Sequence, residues 1–285
     1  MSLPISGPPG LSASSAPPAS TPGHDAPVAL VTGGAQRIGR AIALELAAGG
    51  WRLAVHYRHS STPAATLVAE LVARHGQAAA GGSGRAQAFG ADLADEIQCR
   101  ALVPEVRRVM GRIDAVINNA SLFEHDSAAD FSFATMERHW RTNTGAPVLL
   151  AQALHAAGGR VVVNLLDQKL WNPNPDHLSY TLSKAALEAA TSMLAMALAP
   201  RTRVCGVAPG ITLTSPEMSE AEFTAAHRMT PLERGATAED IARAVRFLVE
   251  SPAITGTTLL VDGGQHLAGQ PRDVVFLARA AVAQR

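Results

Sequence analysis

The stretch Val28-Ala29-Leu30-Val31-Thr32-Gly33-Gly34-Ala35-Gln36-Arg37-Ile38-Gly39 decides the fold. Four apolar residues run into a glycine-rich turn, and a helical pattern opens at about residue 38. A turn of this kind lets a phosphate approach the backbone and rest at the positive end of a helix. A tight turn with no ligand would look the same locally, so the rest of the chain has to decide.

Outward from that turn, apolar β-branched runs alternate with helical patterns. The runs are Val28–Val31, Leu53–His56, Ala86–Phe89, Ala115–Asn118, Arg160–Leu165, Arg203–Val207 and Thr258–Val261. Helical stretches lie at about 38–49, 63–75, 95–110, 132–157, 178–199 and 238–250. Strands separated by helices of this length give βαβ units and a parallel sheet. The runs are nearly continuous hydrophobics, as expected when helices cover both faces. The expected fold is therefore α/β, a doubly wound Rossmann-type parallel sheet in a single domain spanning 27–268. No internal repeat is visible.

Residues 1–26 are rich in Pro, Ser, Ala and Gly and bury too little apolar surface to offset chain entropy, so they read as a disordered tail. They carry no Lys or Arg and no apolar core of a signal peptide. Gln77–Arg85 reads as a flexible loop, and residues 269–285 as a C-terminal tail. Formal net charge is zero, which gives no reason to expect nucleic acid or an anionic membrane as partner. No apolar run approaches membrane-spanning length. Cys99 and Cys205 form no framework, consistent with a reducing cytoplasm. The histidines are scattered without ligand spacing, so no metal is expected.

The second strand says which dinucleotide the turn would hold. A carboxylate at its end would accept the ribose 2′-OH of NAD and repel a 2′-phosphate. Here the strand ends His56-Tyr57-Arg58-His59-Ser60, with no acid. Arg37 and Arg58 can make charge-assisted hydrogen bonds to a phosphate and Ser60 adds a hydroxyl, which favours NADPH over NADH. Asp92-Leu93 would suit the adenine edge and Asn118-Asn119-Ala120 the adenosine ribose region, although each could be a turn or cap residue.

Tyr180 and Lys184 are four residues apart in a helical stretch and share a face. A neighbouring ammonium lowers a phenol's pKa and fits it for proton transfer. Taken with the first turn and the Asn-Asn-Ala run, these residues resemble the short-chain dehydrogenase/reductase family over nearly all of 27–268. The resemblance implies a proton relay of Asn143, Tyr180 and Lys184, with Asn143 positioning a water. It also implies that Lys184 binds the nicotinamide ribose and that the backbone of Pro209-Gly210-Ile211 faces the carboxamide. Ile254-Thr255-Gly256 and Val261-Asp262-Gly263-Gly264 look like the family's closing signature.

Three departures from the family pattern are informative. Arg37 takes the place of the middle glycine, Asp167 that of the catalytic serine thirteen residues before the tyrosine, and Ser121 that of the glycine after Asn-Asn-Ala. With Phe123 just beyond Ser121, these changes resemble the pteridine reductase branch. The resemblance implies that Phe123 stacks a pterin against the nicotinamide. That branch usually has Arg before the final Ser of the second strand. This chain has His59 there and Arg58 one place earlier, which leaves both as partners for the 2′-phosphate.

Chemistry independently favours a basic heterocycle. A serine hydroxyl donates to a carbonyl oxygen becoming an alkoxide, whereas an ionised carboxylate opposes that oxyanion. Asp167 suits the amino and ring N–H donors of a pterin, or a water that protonates a ring nitrogen. Gln168–His177, carrying Trp171, is expected to wall the substrate pocket. Residues 212–230 are expected to form a mobile substrate loop, with Leu213, Met218 and Phe223 as apolar contacts. The resemblance also implies a homotetramer joined through the last strand and the 178–199 helix. Two rivals stand beside a pteridine reductase: a general carbonyl or 3-oxoacyl reductase, and a non-catalytic NADP(H)-binding sensor.

Overall fold

The computed structural model describes residues 26–75, 84–214 and 218–284. Most of the N-terminal tail, residues 76–83 of the loop before the third strand and residues 215–217 of the substrate loop lie outside the described residues. Seven parallel strands form one sheet: β1 (Val28–Val31), β2 (Arg52–Tyr57), β3 (Ala86–Gly90), β4 (Ala115–Asn118), β5 (Val161–Leu165), β6 (Arg203–Pro209) and β7 (Thr258–Val261). Their order is β3-β2-β1-β4-β5-β6-β7. The chain reverses direction across the sheet between β1 and β4, and the crevice above such a switch point is where open α/β sheets bind ligands.

The helices are α1 (Arg37–Ala48), α2 (Ser61–His75), α3 (Glu96–Met110), α4 (Phe133–Trp140), α5 (Ala146–Ala156), α6 (Leu178–Ala197), α7 (Glu220–Arg228), α8 (Ala238–Glu250) and α9 (Val274–Ala283). None of those described is long and apolar enough to cross a membrane. Side chains alternate across β1: Ala29 and Val31 join one core layer with Ile42 of α1 and Ile241 of α8. Val28 and Leu30 join the opposite layer with Val103 of α3 and Leu150 of α5. Burial on both faces explains why the strands read as unbroken apolar runs.

Three expectations change. The helix read as 132–157 is interrupted by a π-helical turn at Arg141–Gly145. Pro147 has no N–H to offer the Asn143 carbonyl, which favours a wider turn there. Within the expected substrate loop, α7 is a helix opened by a capping box of Ser219 and Glu222, a signal legible as Ser-x-x-Glu. The C-terminal tail contains α9, N-capped by Asp273 and packed on α7 through Ala226, Val274 and Ala278.

Candidate active site

The turn after β1 is built for close approach. Gly33 sits at φ +59°, in the left-handed region. A Cβ on Gly39 would lie 2.6 Å from Asn119 Nδ2 and nearer still to the Gly33 carbonyl oxygen. Asn119 Nδ2 donates to the Thr32 and Gly33 carbonyls at 2.9 and 3.2 Å, and the Asn119 and Ala120 amides donate to Thr32 Oγ1. Neither Gln36 nor an acidic first turn caps α1 with a side chain. The cradle therefore fits a pyrophosphate, whose oxygens would meet free backbone donors. Arg37 starts α1 at φ +53°, a position that ordinarily favours glycine, and its guanidinium donates to the Thr214 carbonyl at 3.1 Å. It was expected at the 2′-phosphate, yet its partner belongs to the loop after β6.

His56 is a buried strut behind this turn, which corrects its reading as a ligand contact. Gly33 N donates to His56 Nδ1 at 3.1 Å and His56 Nε2 lies 3.0 Å from the Ala91 carbonyl. Burial holds its pKa below the usual value, in keeping with a neutral ring. Tyr57 lies over Gly90, where a Cβ would stand 3.1 Å from the phenol oxygen. Arg58 and His59 are exposed and bonded to each other at 2.7 Å, with Ser60 Oγ 3.5 Å from Gln36 Oε1. An acid does stand nearby: Asp92, two residues past β3, lies 3.8 Å from Arg58 Nε. Both side chains are well exposed, so the pair is weak and leaves Arg58 able to turn to a phosphate. The Leu93 side chain lies in the core instead of at an adenine edge.

The reacting groups meet where β5 and α6 end and begin. Asp167, the N-cap of a short 3₁₀ turn, accepts from Lys169 N at 2.8 Å through Oδ1. Its Oδ2 accepts from the Tyr180 hydroxyl, also at 2.8 Å. Tyr180 is 7% exposed. Lys184 is buried, donates to the Leu165 carbonyl at 2.7 Å and lies 5.7 Å from the centre of the Tyr180 ring. Burial pushes the Asp167 carboxyl above the ordinary carboxylate range, and burial lowers Lys184 to about 8. The phenol differs from expectation. Burial, then the Asp167 charge and hydrogen bond, raise Tyr180 well above 10, so the carboxylate outweighs the lysine. Tyr180 is held as a proton donor.

Asn143, in the π-helical turn, is fully buried. Its Oδ1 accepts from Leu122 N and Ser121 Oγ, and its Nδ2 donates to the Leu122 carbonyl and Ser183 Oγ. With four partners the Asn143 side chain is fully engaged within the protein. It ties the loop after β4 to the tyrosine helix.

A cavity of about 310 Å³ opens above these residues. It gathers Arg37, Ile38, Asn119, Ser121, Asp167, Tyr180, Lys184 and the Pro209–Ile211 backbone, together with Leu213 and Met218. Phe123 also lines it. The ring is 54% exposed, stacked on His177 at 4.3 Å and edge-on to Tyr180 at 4.7 Å. Trp171 and Phe223 are not among the lining residues. Trp171 sits past the 3₁₀ turn, 39% exposed, and Phe223 packs on His227 within α7. Of the expected wall Gln168–His177, Gln168 and Lys169 line the cavity, and sequence reasoning missed Asp273, Val274 and Val275. These three come from the supposed tail.

A family profile described as enoyl-(acyl carrier protein) reductase matches residues 33–266. The putative ketoacyl reductase 2 of the granaticin polyketide synthase of Streptomyces violaceoruber is 34% identical, covering 87% of this chain and 99% of its own. Pteridine reductase 1 of Leishmania tarentolae is 32% identical over 85% and 97%. The crystal structure of FolM alternative dihydrofolate reductase 1 from Brucella suis, in complex with NADP, superposes with a TM-score of 0.79 at 38% identity, covering 87% and 97%. Cradle, Tyr-Lys pair and these matches agree: the chain is an oxidoreductase belonging to the short-chain dehydrogenase/reductase family.

Proposed function

We propose that this protein is an NADPH-dependent reductase of pteridine or dihydropteridine rings. The observation that carries the reading is the carboxyl of Asp167 hydrogen-bonded to the Tyr180 hydroxyl at 2.8 Å on the cavity wall, with the Phe123 ring beside it. A carboxyl there accepts from amino and ring N–H groups, and an exposed aromatic face offers a flat heterocycle offset stacking. The glycine cradle, Arg58, His59 and Ser60 would hold the cofactor, which supplies hydride when bound.

Tyr180 gives its proton to the ring nitrogen adjacent to the carbon being reduced. Doing so beside an ionised Asp167 would place two anions together in a buried site, which is strongly unfavourable. Asp167 therefore has to be neutral at that moment, as its raised pKa allows, and returns a proton to the phenol oxygen along the same hydrogen bond. Lys184 offsets the charge that remains until solvent reprotonates Asp167. We also read the protein as cytoplasmic and as a homotetramer, with exposed Leu182, Met193 and Met196 of α6 available for an interface.

NADPH absorbance with a dihydropterin and a simple ketone, each with parent and Tyr180→Phe, tests the reading. The dihydropterin should be preferred, and Tyr180→Phe should lower turnover by about 10²–10⁴ while keeping NADPH binding. A ketone or 3-oxoacyl thioester preferred throughout would instead support the carbonyl-reductase reading that the Streptomyces relative suggests.

A further inference from the structure

The family profile stops at residue 266, but the cavity wall does not. Asp273, Val274 and Val275, at the start of α9, complete it. This segment is clamped to the 168–177 loop by buried charge. Asp176 is 5% exposed, accepts from Arg272 Nε at 2.9 and 3.0 Å and accepts from Asp273 N at 2.7 Å. Lys169 is 3% exposed; its ammonium donates to the Asp176 carbonyl and stands 3.7 Å from Asp273 Oδ2. Asn172 Nδ2 adds a bond of 2.6 Å to the Ala268 carbonyl. Asp273 Oδ1 accepts from Val275 N at 3.1 Å, fixing the first turn of α9.

A buried lysine and a buried aspartate are stable only while paired, so these residues hold the segment in one position. The two valines it presents are stiff at χ1 and yield little to a larger ligand. The cavity of about 310 Å³ has to take the reacting end of the cofactor as well as the substrate ring.

We propose that Arg272–Val275 is the specificity-determining wall of the reduction site, positioned by Lys169 and Asp176, and that it confines the site to compact ring substrates. An unsubstituted dihydropterin fits this description; the same ring extended by the aminobenzoyl-glutamate arm of a dihydrofolate does not. The substrate chemistry rests on the function proposed above, while the clamp and the size limit do not.

The test is kcat/KM for two pairs: a dihydropterin against dihydrofolate, and a compact against a bulky aryl ketone. The parent should prefer the compact member of each pair. Val275→Ala, which removes two methyl groups from the wall, should cut that preference about tenfold, mainly through KM of the larger member. Val275→Phe should sharpen it, Asp176→Asn and Lys169→Met should relax it, and NADPH affinity should stay unchanged. The Val275 pair keeps the idea testable if the clamp variants fail to fold. Compact-to-bulky ratios unchanged in both Val275 variants overturn the proposal. No turnover of either pteridine, with a shifted ketone ratio, sinks the pteridine reading and leaves the wall standing. Fluorescence binding of pterin and folic acid to the NADP-loaded protein gives the same ratio without turnover, and equal parent affinities overturn the wall.

Discussion

Asp167→Ser restores the hydroxyl usual in the family and removes the carboxyl from the cavity. Two hydrogen bonds of 2.8 Å are at stake, from Lys169 N and from the Tyr180 hydroxyl. Serine can still cap the 3₁₀ turn, so the backbone should persist, but the reserve proton behind Tyr180 is gone. Leaving a buried polar partner unsatisfied costs roughly 1–3 kcal/mol, so kcat/KM for a dihydropterin should fall about five- to a hundredfold. A ketone should lose less or gain, because a hydroxyl donor then faces the developing oxyanion. The pH profile adds a second signature. In the parent, Asp167 has to be neutral, so activity falls as pH rises through its raised pKa. In the serine variant that limb should be lost, because the carboxyl whose ionisation causes it is gone. The assay is NADPH oxidation from about pH 5 to 9 with both substrates, around the ordinary titration range of acids and bases at such sites. Profiles that superimpose, or a ketone that suffers as much as the pterin, would refute the reasoning.

Three further outcomes follow from the same geometry. Gly39→Ala pushes a methyl against the Gly33 carbonyl and Asn119 Nδ2, so it should cost about 1–3 kcal/mol in thermal unfolding and weaken NADPH; unchanged affinity would show that the turn tolerates a side chain. Arg58→Ala should weaken NADPH about ten- to a hundredfold more than NADH in direct titrations, and equal losses would return the 2′-phosphate to His59 and Ser60. Asp167 is raised in the fold above its unfolded value of about 3.9, so it costs stability progressively as pH climbs from that value through the folded one. Asp167→Asn carries no such charge and should gain stability relative to the parent over that interval; parallel melting curves against pH would count against a buried, neutral-preferring carboxyl.

The order of strands and helices, the glycine turn and the Tyr180–Lys184 pair were legible because each is local. Periodicity, a turn and a four-residue spacing depend on neighbours in the chain. Asp167 was legible too, since its distance from Tyr180 along the chain is fixed. What happens to Tyr180 was not: only packing shows a buried phenol hydrogen-bonded to a carboxyl, and burial first, then Asp167, reverses the expected pKa direction. The same holds for His56 and Leu93, whose positions beside the turn and after β3 read as ligand contacts until burial placed them behind it. Trp171 fell outside the cavity because the 3₁₀ turn after Asp167 rotates it to the surface. The wall of Asp273, Val274 and Val275 lay in a segment with no chemical motif, about a hundred residues from its partners Lys169 and Asp176. Contacts between residues that far apart depend on how the sheet and its loops are stacked, so the tertiary structure alone decided them.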